Sequence, residues 1–367
     1  MATLQRLRLK GWKSIRDAEV SFGAMNILIG MNGAGKSNLL QFFKMLNFMA
    51  TGALQEFVGR HGRADSLLYM GSRTTPRMNA DLEFQSDAGL NTYRIALSDA
   101  APDTLIFTDE SALFARAGYK RPIEVPIGAG HSEAKIFQSQ GPTEIILSGL
   151  LRRCRAFQFH DTSEFANVRK KAALNANGYL FHDAGNLAAY LYRLKLREPA
   201  YYERIVSLFA SVCPNFRSFE LEPDALSPDH ILLNWRMQGS DYLLGPHQFS
   251  DGSLRALSLI TLLYGPPELL PKVLLIDEPE LGLHPRAIEV VASLLKSASE
   301  STQVIVATQS TALLDHFSVS DIITAQTQRD KGTFFSRHEP EALASWLEEY
   351  SVGELWEKNV LSGGFPS

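Results

Sequence analysis

Two short stretches of this chain hold residues suited to phosphate chemistry. Gly30 to Ser37 reads GMNGAGKS and satisfies G-x-x-x-x-G-K-[ST]. In that spacing Gly30, Gly33 and Gly35 let the main chain turn tightly, so that its N–H groups converge on phosphate oxygens. Asn32, Ala34 and Asn38 are counted with the nucleotide-binding residues, Lys36 is expected to reach the β- and γ-phosphates, and Ser37 to ligate Mg²⁺. The second stretch is LLIDEPE, Leu274 to Glu280. Asp277 is placed to hold Mg²⁺, directly or through water. Glu278 beside it suits a general base that orients and deprotonates an attacking water. A chance glycine turn or an acid-rich surface turn is the competing reading of each, and the apolar runs leading into both weigh against it. Together, in this order, they point to a nucleoside triphosphatase that works with Mg²⁺.

The elements that must position these groups follow from the flanks. Asn26 to Ile29 is a short, mostly apolar run that predicts a buried strand, and NLLQFFKMLNFM after the loop predicts a helix beginning near Lys36. The positive end of that helix would face the phosphates. Val273 to Ile276 predicts a central parallel strand, left at Pro279. Phe249 to Gly265 reads as a cap followed by an apolar helix. Ser250 is the natural N-cap, Asp251 suits the first turn, and Gly252 opens the backbone there. Such a helix start is a second anion site. The chain's own loop already cradles its phosphates, so a different chain's γ-phosphate is the expected target.

GMNGAGKS, FSDGS and LLIDEPELGLHP resemble the Walker A, signature and Walker B/D-loop set of the ABC-class ATPases, in the RecF, SMC and OLD-type group rather than the transporters. The opening LQRLRLKGWKSIRDAEVSF, with Lys13–Ser14, is similar to the first strands of that group, and FHDTSEFANVRK and WLEEYSVGELWEKN resemble a compact bacterial subgroup of stand-alone ATPases. The resemblance covers nearly the whole chain. The fold it implies is α/β, an ABC-type P-loop NTPase with a mixed central sheet, a β-rich insertion and a helical insertion. It also implies a homodimer, two subunits packed head to tail around two ATP molecules. Ser250 and Gly252 would then bind the partner's γ-phosphate. Arg255 would add charge there or stand as a solvated helix arginine. Leu281 to His284 would form the D-loop, and Pro285 would start the next helix at N1. Where such proteins carry a switch histidine, this chain has Gln309. An amide can hydrogen-bond the phosphate or the water but cannot take a proton as imidazole does. The expected catalytic set is therefore Glu278, Lys36 and Gln309, with slow turnover or turnover resting on Glu278 alone. Gln55, Gln138 and Gln158 all remain candidates for the Q-loop.

The rest of the sequence sets limits. Two cysteines, Cys154 and Cys213, without CxxC spacing argue against a zinc site or a disulfide framework and for a reducing, cytoplasmic setting. No signal-peptide segment or membrane-length apolar run is visible, and a net charge of −4 gives no global attraction to nucleic acid. Motif spacing predicts a first ATPase half over 1–77, a β-rich insertion over 78–150, a helical and hairpin insertion over 151–245, a second ATPase half over 246–332 and an extension over 333–367. Within these, Met78 to about Asp99 alternates as a hairpin, and an irregular stretch follows to about Gly149. Helices are expected over Asn186–Arg197 and Tyr201–Val212, and a second hairpin over Ile231–Met237 and Tyr242–Leu244. Unsustained heptads exclude a long coiled-coil arm, and the stretch after Gln309 is too short for the TOPRIM nuclease that OLD enzymes carry. Three basic clusters (Arg152, Arg153 and Arg155; Arg169, Lys170 and Lys171; Arg193, Lys195 and Arg197) are the direct hint of DNA, against the alternative of solvated faces. The leading expectation is an ATP-driven dimeric switch acting with DNA or a separately encoded effector such as a nuclease, in DNA repair or phage defence. An ATP-gated scaffold holding a toxin is the rival, and a transporter subunit ranks lowest. His160–Asp161 reads as structural.

Overall fold

The computed structural model describes residues 2–119, 121–329 and 331–361. Contacts divide the chain into two compact units. One takes in the chain up to Ala156, Pro271–Leu275 and the stretch from Phe317 onward; the other comprises Phe157–Leu270 and Ile276–His316. The Walker A loop belongs to the first. Asp277, Glu278, Gln309 and the signature belong to the second.

The first unit opens with β1 (Thr3–Trp12) and β2 (Ile15–Ser21), paired antiparallel in a register running from Arg6↔Ser21 to Trp12↔Ile15. Leu4, Leu7, Leu9 and Trp12 face inward and are buried, while Arg6 and Arg8 face out onto Glu19. β4 (Arg77–Ser86), β5 (Gly89–Ala100), β6 (Thr104–Arg116) and β7 (Ile123–Gly128) continue that sheet in the order β2-β1-β4-β5-β6-β7, every neighbour antiparallel. β3 (Met25–Ile29) is buried at all five positions, which explains its mostly apolar reading. It pairs parallel with Ile322–Gln328, and that strand pairs antiparallel with Gly332–Arg337, so the sheet under the Walker A loop is mixed.

The hairpin read from Met78 to Asp99 is β4 and β5. The stretch expected to be irregular after it instead contains β6, thirteen residues long, β7 and the helix Pro142–Arg152. The alternation of β6 was obscured by Glu110, a carboxylate at a buried inward position. It is satisfied there by the Tyr93 hydroxyl at 2.8 Å, His131 Nε2 at 2.7 Å and the backbone N–H groups of Lys135 and Ile136, each at 3.0 Å. A charged residue that is fully paired in the core looks, in sequence, like a break in a strand.

In the second unit the helices Leu187–Arg197, Pro199–Val212, Asp251–Leu263 and Pro285–Ser299 stand with two three-stranded sheets. Asn234–Met237 and Leu243–Leu244 form the expected second hairpin. Its first strand is shorter than expected, because Ile231 ends a separate strand, Ser227–Ile231, of the other sheet. The chain turns between them, where Asn234 N–H bonds back to Leu232 O at 2.9 Å. Phe209, Phe216, Phe219, Trp235 and Phe249 pack as an aromatic cluster, with Phe249 stacked on Trp235 at 4.3 Å. Among the described residues no helix is long and apolar enough to cross a membrane.

Candidate functional site

The Walker A loop leads from β3 into the helix Lys36–Met49. Two of its glycines do work no other residue would do. Gly35 caps the helix at φ +101°, and a Cβ there would lie 2.5 Å from the Thr333 side chain and 3.0 Å from Ser14 Oγ. A Cβ on Gly30 would meet Ala325 O at 2.5 Å. The loop is thus pressed onto Ile322–Gln328 and Gly332–Arg337 from below, while Met31, Asn32, Gly33 and Ser37 are exposed above. Ala34 is buried. A glycine N-cap brings no side-chain acceptor, so the first-turn N–H groups are left to an anion. The Lys36 stem is buried and its ammonium curls over the loop, donating to Gly30 O at 2.5 Å and Met31 O at 3.3 Å. The Asn38 amide turns to the opening strands instead, donating to Ser14 Oγ at 2.7 Å, and Trp12 Nε1 donates to Asn38 O at 2.8 Å. Lys13–Ser14 therefore braces the loop from its side. Lys13 itself sits at φ +46° and is half-buried, which lowers its pKa.

The strand Val273–Asp277 ends on the paired carboxylates, which belong to the second unit. Glu278 has φ +41°, a left-handed conformation that costs a non-glycine residue roughly 1–2 kcal/mol. That turn carries Glu278 off the strand's alternation and toward Gln309. Its N–H donates to Ala307 O at 2.7 Å, and Gln309 Nε2 donates to Glu278 Oε1 at 2.9 Å. Next along, Thr308 Oγ1 donates to Glu280 Oε1 at 2.6 Å. Burial raises the Glu280 pKa, opposed by the Thr308 hydroxyl and nearby backbone N–H groups, with the charge of Glu278 adding to the rise.

The three glutamines left open by the sequence now separate. Gln158 Nε2 lies 3.4 Å from Asp277 Oδ2, whereas Gln55 is engaged by Leu105 O, Ser132 O and Thr104 within the first unit. Gln138 lies in a turn, its N–H donating to Lys135 O at 2.9 Å. His160, read as structural, holds the end of the strand: its Nε2 meets Asp277 O at 3.0 Å and its Nδ1 meets Gln158 Nε2 at 3.1 Å. Nothing local in the sequence marks a residue more than a hundred positions away as a neighbour of Asp277.

Ser250 is the N-cap of Asp251–Leu263, its Oγ accepting from Ser253 N–H at 3.1 Å. Gly252 lies against the D-loop, since a Cβ there would meet Gly282 O at 2.6 Å. Arg255, read as a junction charge or a solvated residue, instead ties two segments together, donating to Leu281 O at 3.2 Å and to His160 O at 2.8 Å. Pro285 opens Pro285–Ser299 at N1, behind a His284 N-cap. The middle basic cluster also needs correction. Arg169 is buried, donating to Thr162 O at 2.8 Å, Pro246 O at 2.6 Å, Phe249 O at 3.2 Å and Asp251 Oδ1 at 2.8 Å, and Lys171 pairs with Asp224. Arg169 therefore fastens the start of the signature helix to the segment that carries Gln158 and His160, and is no part of a solvated basic face. The first cluster lies in the other unit, where Arg152 donates to Ala50 O at 2.9 Å.

Residues 6–116 match a family described as AAA domain, and residues 181–315 match one described as "AAA domain, putative AbiEii toxin, Type IV TA system". No curated protein matches the chain. Among solved structures, an SMC head bound to the C-terminal winged-helix domain of ScpA is similar at 15% identity and a TM-score of 0.61, over 93% of this chain and 99% of that one. An SMC head with an extended coiled coil, bound to the C-terminal domain of ScpA and derived from Pyrococcus furiosus, is similar at 16% identity and a TM-score of 0.58, over 95% and 99%. At these identities the likeness is one of fold. With AAA-domain matches over 6–116 and 181–315 and a likeness to SMC heads, the chain has an ABC-type P-loop NTPase fold.

Proposed function

We propose that this chain binds and hydrolyses ATP and that ATP closes two copies of it into a dimer. The observation that carries the reading is the Walker A loop: an exposed, glycine-turned backbone at the start of a long helix, with a buried lysine folded over it. The loop N–H groups would hold the phosphates, and Lys36 would leave its own carbonyls for the β- and γ-oxygens. Mg²⁺ would neutralise the charge that builds on those oxygens. Among the described residues no cluster of three or more His, Cys, Asp or Glu could hold a metal. Ser37 would contribute a hydroxyl, and Asp277 a carboxylate directly or through water, to a cation carried by the nucleotide. Glu278 would accept the proton of the attacking water, and Gln309 would fix its orientation. Ser250 and Gly252 would meet the γ-phosphate held by the partner copy.

A glutamine where an imidazole is usual, already engaged with Glu278, favours slow turnover. A long-lived closed dimer would suit the control of a second protein. The two SMC heads are each bound to a domain of ScpA, and that supports a protein partner here, with DNA as a second candidate ligand. Calorimetric titration with Mg-ATP, followed by phosphate release at rising DNA concentration and low salt, tests the reading. Binding lost in Lys36→Ala and turnover raised by DNA are expected. Wild-type protein that takes up no nucleotide would refute the first claim, and turnover indifferent to DNA would refute the second.

A further inference from the structure

We propose that Glu280 is a positioning residue, whose carboxylate holds Thr308 so that the Gln309 amide stays against Glu278. The inference deepens the ATPase reading and rests on it. Three bonds join residues 278–280 to residues 307–309 in ladder fashion: Glu278 N–H to Ala307 O at 2.7 Å, Thr308 Oγ1 to Glu280 Oε1 at 2.6 Å, and Gln309 Nε2 to Glu278 Oε1 at 2.9 Å. The first is a backbone bond; the other two are side-chain bonds, one made to the candidate base itself and one to Glu280 two residues on. Thr308 is fully buried and doubly used, because its hydroxyl also accepts from Ser310 N–H at 2.9 Å, and Ser310 then caps the helix Thr311–Leu314. Gln309 lies between these two anchored residues and is itself exposed. Its backbone is fixed on both sides through Thr308, and its amide has one direction in which it meets Glu278.

A carboxylate placed there for packing alone would be a poor choice. Its Oε2 is buried without a hydrogen-bond partner, which an apolar side chain of the same size would avoid. The part it plays is the acceptor for Thr308. The consequence for chemistry is directional: with Oε1 of Glu278 taken by the Gln309 amide, Oε2 is the oxygen left to receive the proton of the attacking water. Glu280 would act through Thr308 and Gln309, touching neither nucleotide nor water.

The test uses full-length protein carrying Thr308→Val, which removes the donor at nearly constant shape, Thr308→Ser, which keeps it, Glu280→Ala, and the double variant. Two readouts are taken. The side-chain amide resonances of selectively labelled glutamine, assigned with Gln309→Glu, report the Gln309 bond in nucleotide-free protein. Steady-state phosphate release with separately measured nucleotide affinity reports kcat apart from binding. Thr308→Val and Glu280→Ala are each expected to move the Gln309 resonance toward the position of solvent-exposed glutamines. Each should also lower kcat about tenfold, with nucleotide affinity within about twofold of wild type. Thr308→Ser should restore both, and the double variant should be no worse than either single change. An unmoved Gln309 resonance in Thr308→Val, fully additive losses, or a failure of Thr308→Ser to rescue would overturn the proposal. If Glu280→Ala does not fold, Thr308→Val and Thr308→Ser carry the test alone. Wild-type protein without turnover would refute the hydrolysis reading instead, and the amide resonance would still decide the role of Glu280.

Discussion

Gly252 offers a substitution whose sign can be worked from the structure. An alanine in place of glycine within a helix ordinarily stabilises by about 0.5–1 kcal/mol, through the unfolded-state entropy it removes. Gly252 lies in the first turn of Asp251–Leu263 at an ordinary φ, so the backbone raises no objection. The neighbour does. The new Cβ would sit 2.6 Å from Gly282 O, against the roughly 3.3 Å or more at which carbon and a carbonyl oxygen meet without repulsion. Gly282 has little room to retreat. Its own α-carbon, at φ +70°, faces Arg255 Nη1, and that guanidinium is tied to Leu281 O and His160 O. Overpacking of this kind costs about 1–3 kcal/mol, so the contact offsets the propensity gain and Gly252→Ala should destabilise by up to about 2.5 kcal/mol. Gly149 is the control. It lies in the helix Pro142–Arg152, exposed, with nothing within 4 Å of an added Cβ, and Gly149→Ala should stabilise by about 0.5–1 kcal/mol. Urea midpoints at unchanged m-value give both signs. Finding Gly252→Ala as stable as Gly149→Ala would refute the contact between signature and D-loop.

Further outcomes follow from other parts of the site. Lys36→Ala should abolish nucleotide binding by calorimetry, and Glu278→Gln should keep it while lowering phosphate release at least about a hundredfold, the usual yield of a general base. Arg169→Lys retains the charge but cannot reproduce four bonds from one planar fork. It should cost about 1.5–3 kcal/mol in denaturation and weaken ATP-dependent dimerisation while nucleotide affinity holds. His338 is half-buried beside Thr324, its Nε2 at 3.1 Å from Oγ1, and desolvation lowers its pKa. The unfolded chain then takes the extra proton first, once pH drops below about 6.5. Stability should therefore fall from that point down through the lowered folded value, and His338→Gln should flatten the fall in a series of melts between pH 7.5 and 5.

The parts legible in the sequence were those whose function is local. The Walker A loop, the cap at Ser250, the strand before Asp277 and Pro285 at N1 each depend on residues within a few positions of one another, so type and spacing suffice. The parts that were hidden depend on distant segments. Gln158 and His160 are identified only by Asp277, which follows them by more than a hundred residues. Arg169 sits in a basic triplet, and composition alone cannot tell a solvated guanidinium from one buried on carbonyls supplied by residues 162, 246 and 249. Glu110 shows the same limit in a strand, where a carboxylate satisfied by Tyr93 and His131 broke the apolar rhythm by which β6 would have been read. Local propensity also joined Ile231 to the strand beyond it, although the turn at Leu232–Asn234 sends the two into different sheets.

The central claim is that ATP is clasped between two copies of this chain, with Ser250 and Gly252 of each completing the site of the other. Sedimentation of Glu278→Gln, with and without saturating Mg-ATP, tests it most directly. A monomer that becomes a dimer only with nucleotide, and fails to do so when Ser250→Arg is added, is the expected result. A protein that is saturated with ATP and still sediments as a monomer would contradict the account.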